Sequence, residues 1–187
     1  MLNVLEIIEK KIFPFTKRKM KSKKGNIFGA ALVKAHDNGE LEIITIESNS
    51  ILKNNNPLMH GEVTCLFKSF KKLNNMNLKD YILISSHEPC PMCISAIAWA
   101  GIKKVIYLFS YEDTANFFGF NEDKEFCLDI FGTEHPKSSK TMDIINLKNI
   151  QDSEMQKIIS RIDNKYKKLI LQYPNTNTNT NTNTNKE

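Results

Sequence analysis

The sequence predicts an α/β sandwich built on a mixed sheet. Three observations carry that prediction. Two strand-like runs sit either side of turn residues early in the chain. Strand-like and helix-like segments alternate after them. A final strand is followed by a long amphipathic stretch over residues 153–172.

Leu2, Leu5, Ile8 and Ile12 recur at helical spacing, so a short amphipathic helix opens the chain and stops by Pro14. The run "KRKMKSKK", residues 17–24, follows as a basic loop. "IFGAALVK" reads as a buried strand, "HDNG" as a turn, and "ELEIITIE" alternates like a partner strand, which makes a hairpin. The loop "NSILKNNNP" leads to a helix from about His60 to Lys72. "DYILISS" is a strand, "CPMCISAIAWAG" a helix ended by Gly101, and "KKVIYLFS" a strand. "YEDTANFF" is a short helix, residues 119–140 are poorly patterned, and "MDIINL" is a last strand. The hairpin pair is antiparallel and the remaining strands are largely parallel. Residues 1–172 form one domain, and the "NTNTNTNTNTN" repeat within residues 173–187, having no apolar content, stays outside the fold.

Bulk properties exclude several classes. No apolar run reaches the roughly 18 to 20 residues that span a bilayer, and Glu6 and Glu9 interrupt the opening apolar residues, so no secretory signal is read there. Cys65, Cys90, Cys93 and Cys127 are too unevenly spaced for a disulfide framework, which points to a reducing, cytoplasmic setting. Lys17, Arg18, Lys19, Lys21, Lys23 and Lys24 suit contact with nucleic acid or a nuclear address. They suit a solvated loop better, because no aromatic residue interleaves them to stack on bases.

The chemistry concentrates in two stretches. "EPCPMC" puts Cys90 and Cys93 one turn apart at a helix entry, where the helix N-terminus favours thiolates and Pro91 suits the first turn. Thirty residues earlier, "HGE" supplies His60 and Glu62. Zinc prefers thiolate and imidazole ligands, and a catalytic zinc keeps three protein ligands and one open position. In a regular helix Glu62 would point about 200° from His60, so both reach one ion only if His60 sits at the irregular helix entry. Two other readings compete. A redox Cys-x-x-Cys leaves the His-x-Glu unexplained. A structural zinc site needs a fourth ligand, and His36, His87, His135, Cys65 and Cys127 form no second close pair.

The His-x-Glu and Pro-Cys-x-x-Cys pair is the signature of zinc nucleobase deaminases, and residues 1 to 130 resemble the cytidine and deoxycytidylate deaminase superfamily. "IFGAALV" resembles that family's first core strand, and Asn49 stands eleven residues before His60. "AIAWAGIKKVIYLFSYEDTANFFGF" is most similar to the guanine deaminase branch. The resemblance implies a three-layer α/β/α cytidine deaminase-like sandwich with a mixed five-stranded sheet. It implies one zinc per chain on His60, Cys90 and Cys93, with Glu62 as proton shuttle. Asn49 would bind the base, with Phe28 and Trp99 as candidate pocket walls, although Asn49 also suits a plain turn and Trp99 plain core. The chain departs from the pattern in two places. Gly61 stands where the guanine and tRNA branches have Ala and the cytosine branch has Gly. "GFNED" replaces two aspartates directly after the Phe.

Three functions stay open at this point. The first is an enzyme on a small nucleobase, guanine favoured over cytosine or cytidine. The second is a tRNA adenosine deaminase, supported by the basic run. The third is a zinc-stabilised module without activity, against which Glu62 argues. The resemblance further implies a homodimer meeting through the helix around Trp99 and the Gly119–Phe120 segment. His87 reads as a pocket-rim or solvated surface residue, Glu88 as a helix-start acid, and Cys65 and Cys127 as buried thiols.

Overall fold

The computed structural model describes residues 1–132 and 142–173. Of the sequence expectations, the repeat from residue 174 onward, His135 and part of the 119–140 segment lie outside the described residues.

The sheet has five strands in the order β2-β1-β3-β4-β5. β1 (Gly29–Ala35) and β2 (Leu41–Ser48) pair antiparallel, with a bulge between Leu32 and Val33. Gly39, at a φ of +82, closes the hairpin in a conformation that glycine adopts without strain. β1 also pairs antiparallel with β3 (Tyr81–His87). β4 (Lys104–Phe109) and β5 (Asp143–Asn146) then join in parallel. The expected mixed sheet, antiparallel first and parallel after, is the one present.

Strand alternation sorts the core into two halves. Ala30, Leu32, Leu83 and Val105 face one side, where α4 (Gly61–Leu73) and α5 (Pro91–Trp99) cover them through Cys65, Leu66 and Ile97. Ala31, Val33, Ile84 and Ile106 face the other side. There the cover comes from α1 (Leu2–Ile7), α2 (Phe13–Lys21) and α8 (Ser153–Gln172), through Leu5, Met20, Ile159 and Tyr166. The result is three layers, helix on sheet on helix. Among the described residues no helix is long and apolar enough to cross a membrane.

The opening helix departs from the sequence reading. It does not stop at Pro14 but continues through a π-helical stretch, Ile8–Ile12, into α2, so Lys17, Arg18, Lys19 and Lys21 lie on a helix and only the end of the run is loop. The physical reason is local. Phe13 N–H already donates to Ile8 O, a π-type bond five residues back, so the ladder has shifted where proline's missing donor would otherwise break it. The second departure is α7 (Glu122–Phe131), in the segment that carried no clear pattern. Its first turn holds Glu122, Asp123 and Glu125, which favour a helix N-terminus, and Gly132 ends it at a φ of +64.

The remaining elements position the loops. A short helix, α3 (Ile51–Asn54), links β2 to α4, and α6 (Tyr111–Phe118) opens with a capping box between Ser110 and Asp113. On the far side, buried Glu9 of the π stretch accepts hydrogen bonds from Arg161 Nε and Nη2, both at 2.7 Å, and from Lys165 Nζ at 2.6 Å. That clamp ties the opening helix to α8.

Candidate active site

Two helices begin side by side at one end of the sheet, and both begin with a metal-ligand residue. His60 is the N-cap of α4 with extended backbone, φ −61 and ψ 161. Cys90 is the N-cap of α5, φ −64 and ψ 167, and Pro91 fills the first helical position. The irregular helix entry that lets His60 and Glu62 reach one point is therefore present.

The donor atoms of His60, Cys90 and Cys93 lie within 4.8 Å of one another. Cys90 Sγ is 3.6 Å from His60 Nδ1. Cys93 Sγ donates to Glu62 Oε2 at 3.6 Å, and Ser85 Oγ donates to Glu62 Oε1 at 2.9 Å. One imidazole nitrogen and two sulfurs, gathered where two helix N-termini point, are a donor set that suits zinc. Cys65, one of the alternative fourth ligands, is instead bonded to Thr45 on the far side of α4, and burial pushes its thiol up to about 12. Among the described residues the metal-ligand group has three members.

The electrostatics of the group are those of a cation site. Burial works against a charge on His60, but the hydrogen bond and charge of Cys90, with Glu62 and Asp123 adding to them, carry the imidazole up to about 9. The pull that holds a proton there would equally favour a metal ion. The hydrogen bond from Cys93 draws the Cys90 thiol well below its ordinary range, helped by His60. Burial raises the Glu62 carboxyl, and the Cys90 charge adds to that.

His60, Glu62 and Cys90 form one wall of a small cavity of about 60 Å³. Phe28, Asn49 and Phe120 supply other walls, and Asn26, Glu88, Glu122 and Asp123 complete the lining. Phe28 packs edge-on against Phe120, with centroids 5.1 Å apart. Asn49 N–H donates to Phe28 O at 3.0 Å, while its side-chain Oδ1 accepts from Ile51 N at 3.1 Å. Asn49 thus holds a turn and lines the cavity at once, with its Nδ2 amino group left as the donor for a ligand. Gly61 lies against this wall: a Cβ there would come 3.1 Å from Phe28 O and 3.4 Å from Asn49 N.

Several residues stand where the sequence did not put them. Trp99, expected as a pocket wall, is 94% exposed at the end of α5 and lines a different, apolar groove. It follows Cys93 by six residues, about 240° around the helix, so the turn that carries Cys93 inward carries Trp99 out. His87 is neither rim nor surface. It is fully buried, with its ring 4.5 Å from Phe28 and 5.0 Å from Phe109, and burial pushes it down to about 3. Cys65 and Cys127 are buried, as expected. Glu88 accepts from Tyr111 N at 3.1 Å and lines the cavity, which is more than a helix-start role.

Sequence reasoning missed Ser85, Phe120 and Asp123 as neighbours of the site. Strand alternation could have found Ser85: it shares the face of Leu83, which looks toward the helix carrying Glu62. Asp123 keeps partial contact with solvent, and burial together with the Cys90 charge still pushes its carboxyl up to about 7. No local signal places it, because α7 itself was not anticipated.

The family model described as "Cytidine and deoxycytidylate deaminase zinc-binding region" matches residues 10–109, more than half of the chain. The chain belongs to this family. A curated guanine deaminase of Bacillus subtilis is 42% identical over 91 residues, covering 49% of this chain and 55% of that protein. A tRNA-specific adenosine deaminase of Rickettsia typhi is 35% identical over 66 residues, 35% of this chain and 45% of its relative. The matched part spans about half the length of these relatives. The solved structure of guanine deaminase from Bacillus subtilis superposes with a TM-score of 0.57 at 30% identity, covering 83% of this chain and 90% of that one. A guanine deaminase from Nitrosomonas europaea, at 17% identity and a TM-score of 0.57 over 83% of this chain and 82% of that one, shares the fold. The zinc-binding deaminase family and the cytidine deaminase-like α/β/α fold are thus both shown.

Proposed function

We propose that the chain is a zinc-dependent hydrolytic deaminase that replaces an exocyclic amine of a nucleobase with oxygen, guanine being the favoured base. The observation that carries this is Glu62, a buried carboxylate fixed by Ser85 beside the three metal donors and inside a cavity with aromatic walls. A module held together by zinc has no use for such a group.

His60, Cys90 and Cys93 would hold the ion, which in such a setting leaves a position for water and brings its pKa to about 7. Ser85 holds Oε1, and once Cys93 serves as a thiolate ligand and no longer donates to Oε2, that oxygen would take a proton from the attacking water. Glu62 would then give it to a ring nitrogen of the base and carry the water's second proton to the amine, so that the oxygen stays on the base as the new carbonyl and the C–N bond breaks to release ammonia. Asn49 would hold the base edge through Nδ2, and the edge-on pair of Phe28 and Phe120 would wall the ring from one side and exclude bulk water.

Glu62→Gln should keep zinc and fold while turnover falls by roughly 10² to 10⁴, the worth of general acid–base catalysis. Loss of the metal instead would make Glu62 a ligand and favour the inert module. Ammonia release measured on a panel of guanine, cytosine, their nucleosides and tRNA decides the substrate, and release from cytosine but not guanine would overturn the branch. The tRNA reading draws on the Rickettsia relative and on the basic residues of α2. We place the small base first because the guanine deaminase match is both longer and more identical. A homodimer is part of the proposal, supported by the apolar groove between α4 and α5, where Trp99, Phe67 and Met76 are exposed. Four cysteines free of disulfides suit a reducing, cytoplasmic compartment.

A further inference from the structure

Behind the Asn49 wall lies a second cavity, of about 130 Å³, that the deaminase reading does not use. Its inner lining is hydroxylic: Ser48, Ser50 and Thr64 are all buried. Ser50 Oγ and Thr64 Oγ1 bond each other at 3.1 Å and are further held by Asn54 Nδ2, which donates to Ser50 Oγ at 2.8 Å, and by Met59 Sδ, whereas among the described residues Ser48 Oγ has only a long 3.5 Å contact to Asn49 O. Its other polar lining is Asn54 and a cationic set, Lys19, Lys24, Lys53 and Lys68, against a single acid, Glu47. Lys68 is the ion-pair partner of Glu47 at 2.5 Å, and Lys19 Nζ also lies 5.1 Å from the Phe15 ring. Among the described residues no carboxylate pairs with Lys24 or Lys53. The Ser48 hydroxyl beneath and surplus ammonium groups around are the recognition chemistry of a phosphate.

We infer that this cavity is a binding site for a phosphate group, distinct from the base pocket. Its volume exceeds the space of a single water several-fold, and its partial enclosure admits a terminal or free phosphate more readily than a backbone continuing on both sides. The ligand is therefore a phosphate monoester or inorganic phosphate. The site is built into the wall of the base pocket. Gly25 packs so closely that a Cβ there would lie 2.6 Å from Asn49 O, which locks the Lys24–Asn26 turn onto the Ser48–Ser50 segment. Lys24 lines the phosphate cavity and Asn26 the base cavity, while Ser48 and Ser50 flank Asn49 in the same manner. An occupied phosphate site would fasten both pieces that carry base-pocket residues.

Calorimetric titration of the zinc-loaded full chain with inorganic phosphate, in chloride buffer, tests the site without reading turnover, so its failure is separate from failure of the deaminase reading. Saturable binding of one phosphate is expected. K24Q/K53Q should weaken it about tenfold or more, since one hydrogen bond to a charged group is worth at least that. S48A should weaken it with the charge intact. K79Q/K103Q removes the same charge at the opposite end of the sheet and should change the affinity by less than about twofold at fixed salt. A nucleoside 5′-monophosphate should displace phosphate, and a short RNA with 5′- and 3′-hydroxyl ends should not. Absence of saturable binding, equal weakening by both double substitutions, or displacement by that RNA in preference to the monophosphate would each overturn the inference. All four lysines are half-buried or exposed, so the variants' folds are checked simply by their unchanged melting curves.

Discussion

Ser85 is the smallest part of the site and the one with the clearest single consequence. Its hydroxyl donates to Glu62 Oε1 at 2.9 Å, and both groups are buried. Ser85→Ala leaves a buried carboxylate short of a donor, worth about 1 to 3 kcal/mol, and frees it to rotate. We expect zinc content to be unchanged and kcat to fall roughly tenfold to a hundredfold, with little change in KM. Unchanged kcat at full metal loading would remove Ser85 from the proton path. At this scale the metal donors were legible and the supporting residues were not. His60, Cys90 and Cys93 announce themselves because few side chains bind zinc and the two cysteines are one turn apart. Ser85, Phe120 and Asp123 are ordinary residue types that matter only through neighbours distant in sequence. Trp99 misled for the opposite reason, since a conspicuous residue beside the metal box takes its direction from helix phase.

Elements are joined across the back of the sheet by the Glu9 clamp. The Arg161 guanidinium, with Lys165 behind it, holds the Glu9 carboxyl down at about 2 against the opposing effect of burial. A folded-state pKa below the unfolded value means stability that is present above about 4.5 and lost as pH falls toward about 2. Glu9→Gln should therefore lower stability at neutral pH by about 1 to 2 kcal/mol. It should also flatten the dependence between about pH 4.5 and 2, both read from urea melts at a series of pH values. An equally steep acid limb in the variant would show the clamp to be idle. The strands and most helices were legible because apolar period and turn residues agree over whole segments. The errors fell where hydrogen-bond bookkeeping is nonlocal. Pro14 stops an ordinary helix but not one whose ladder has already slipped into π spacing, and α7 carries acids and apolar residues with no clean stripe.

At the scale of the whole molecule, an apolar groove stands open among the described residues, between the two helices that carry the metal donors. Trp99 is 94% exposed and Met76 86%, more apolar surface than a lone subunit normally shows in one place. If two copies meet there, sedimentation should report a dimer at micromolar concentration. Trp99→Glu should shift it to monomer without lowering the melting temperature of the subunit, as the indole has almost no contacts to lose. A wild-type monomer with full activity would contradict this. The α/β sandwich with its mixed sheet was legible from element order and its three layers from the family resemblance, whereas the exposure of this face was not, because amphipathic helices in sequence do not say which partner covers them.

His60 and the Cys90–Cys93 pair reach each other only because β1 separates β2 from β3 and sets the two helix starts side by side. Neither strand–helix unit alone owns a complete set of donors. The ion can therefore be captured only once the hairpin has docked on the parallel half, which makes metal uptake a clock for assembly. In refolding with cobalt as the probe, thiolate–metal absorption should rise together with the last change in far-UV dichroism. A full signal arriving before it would mean that the donors assemble without the sheet. Chelation, run the other way, should loosen the seam between the two halves before it melts either one.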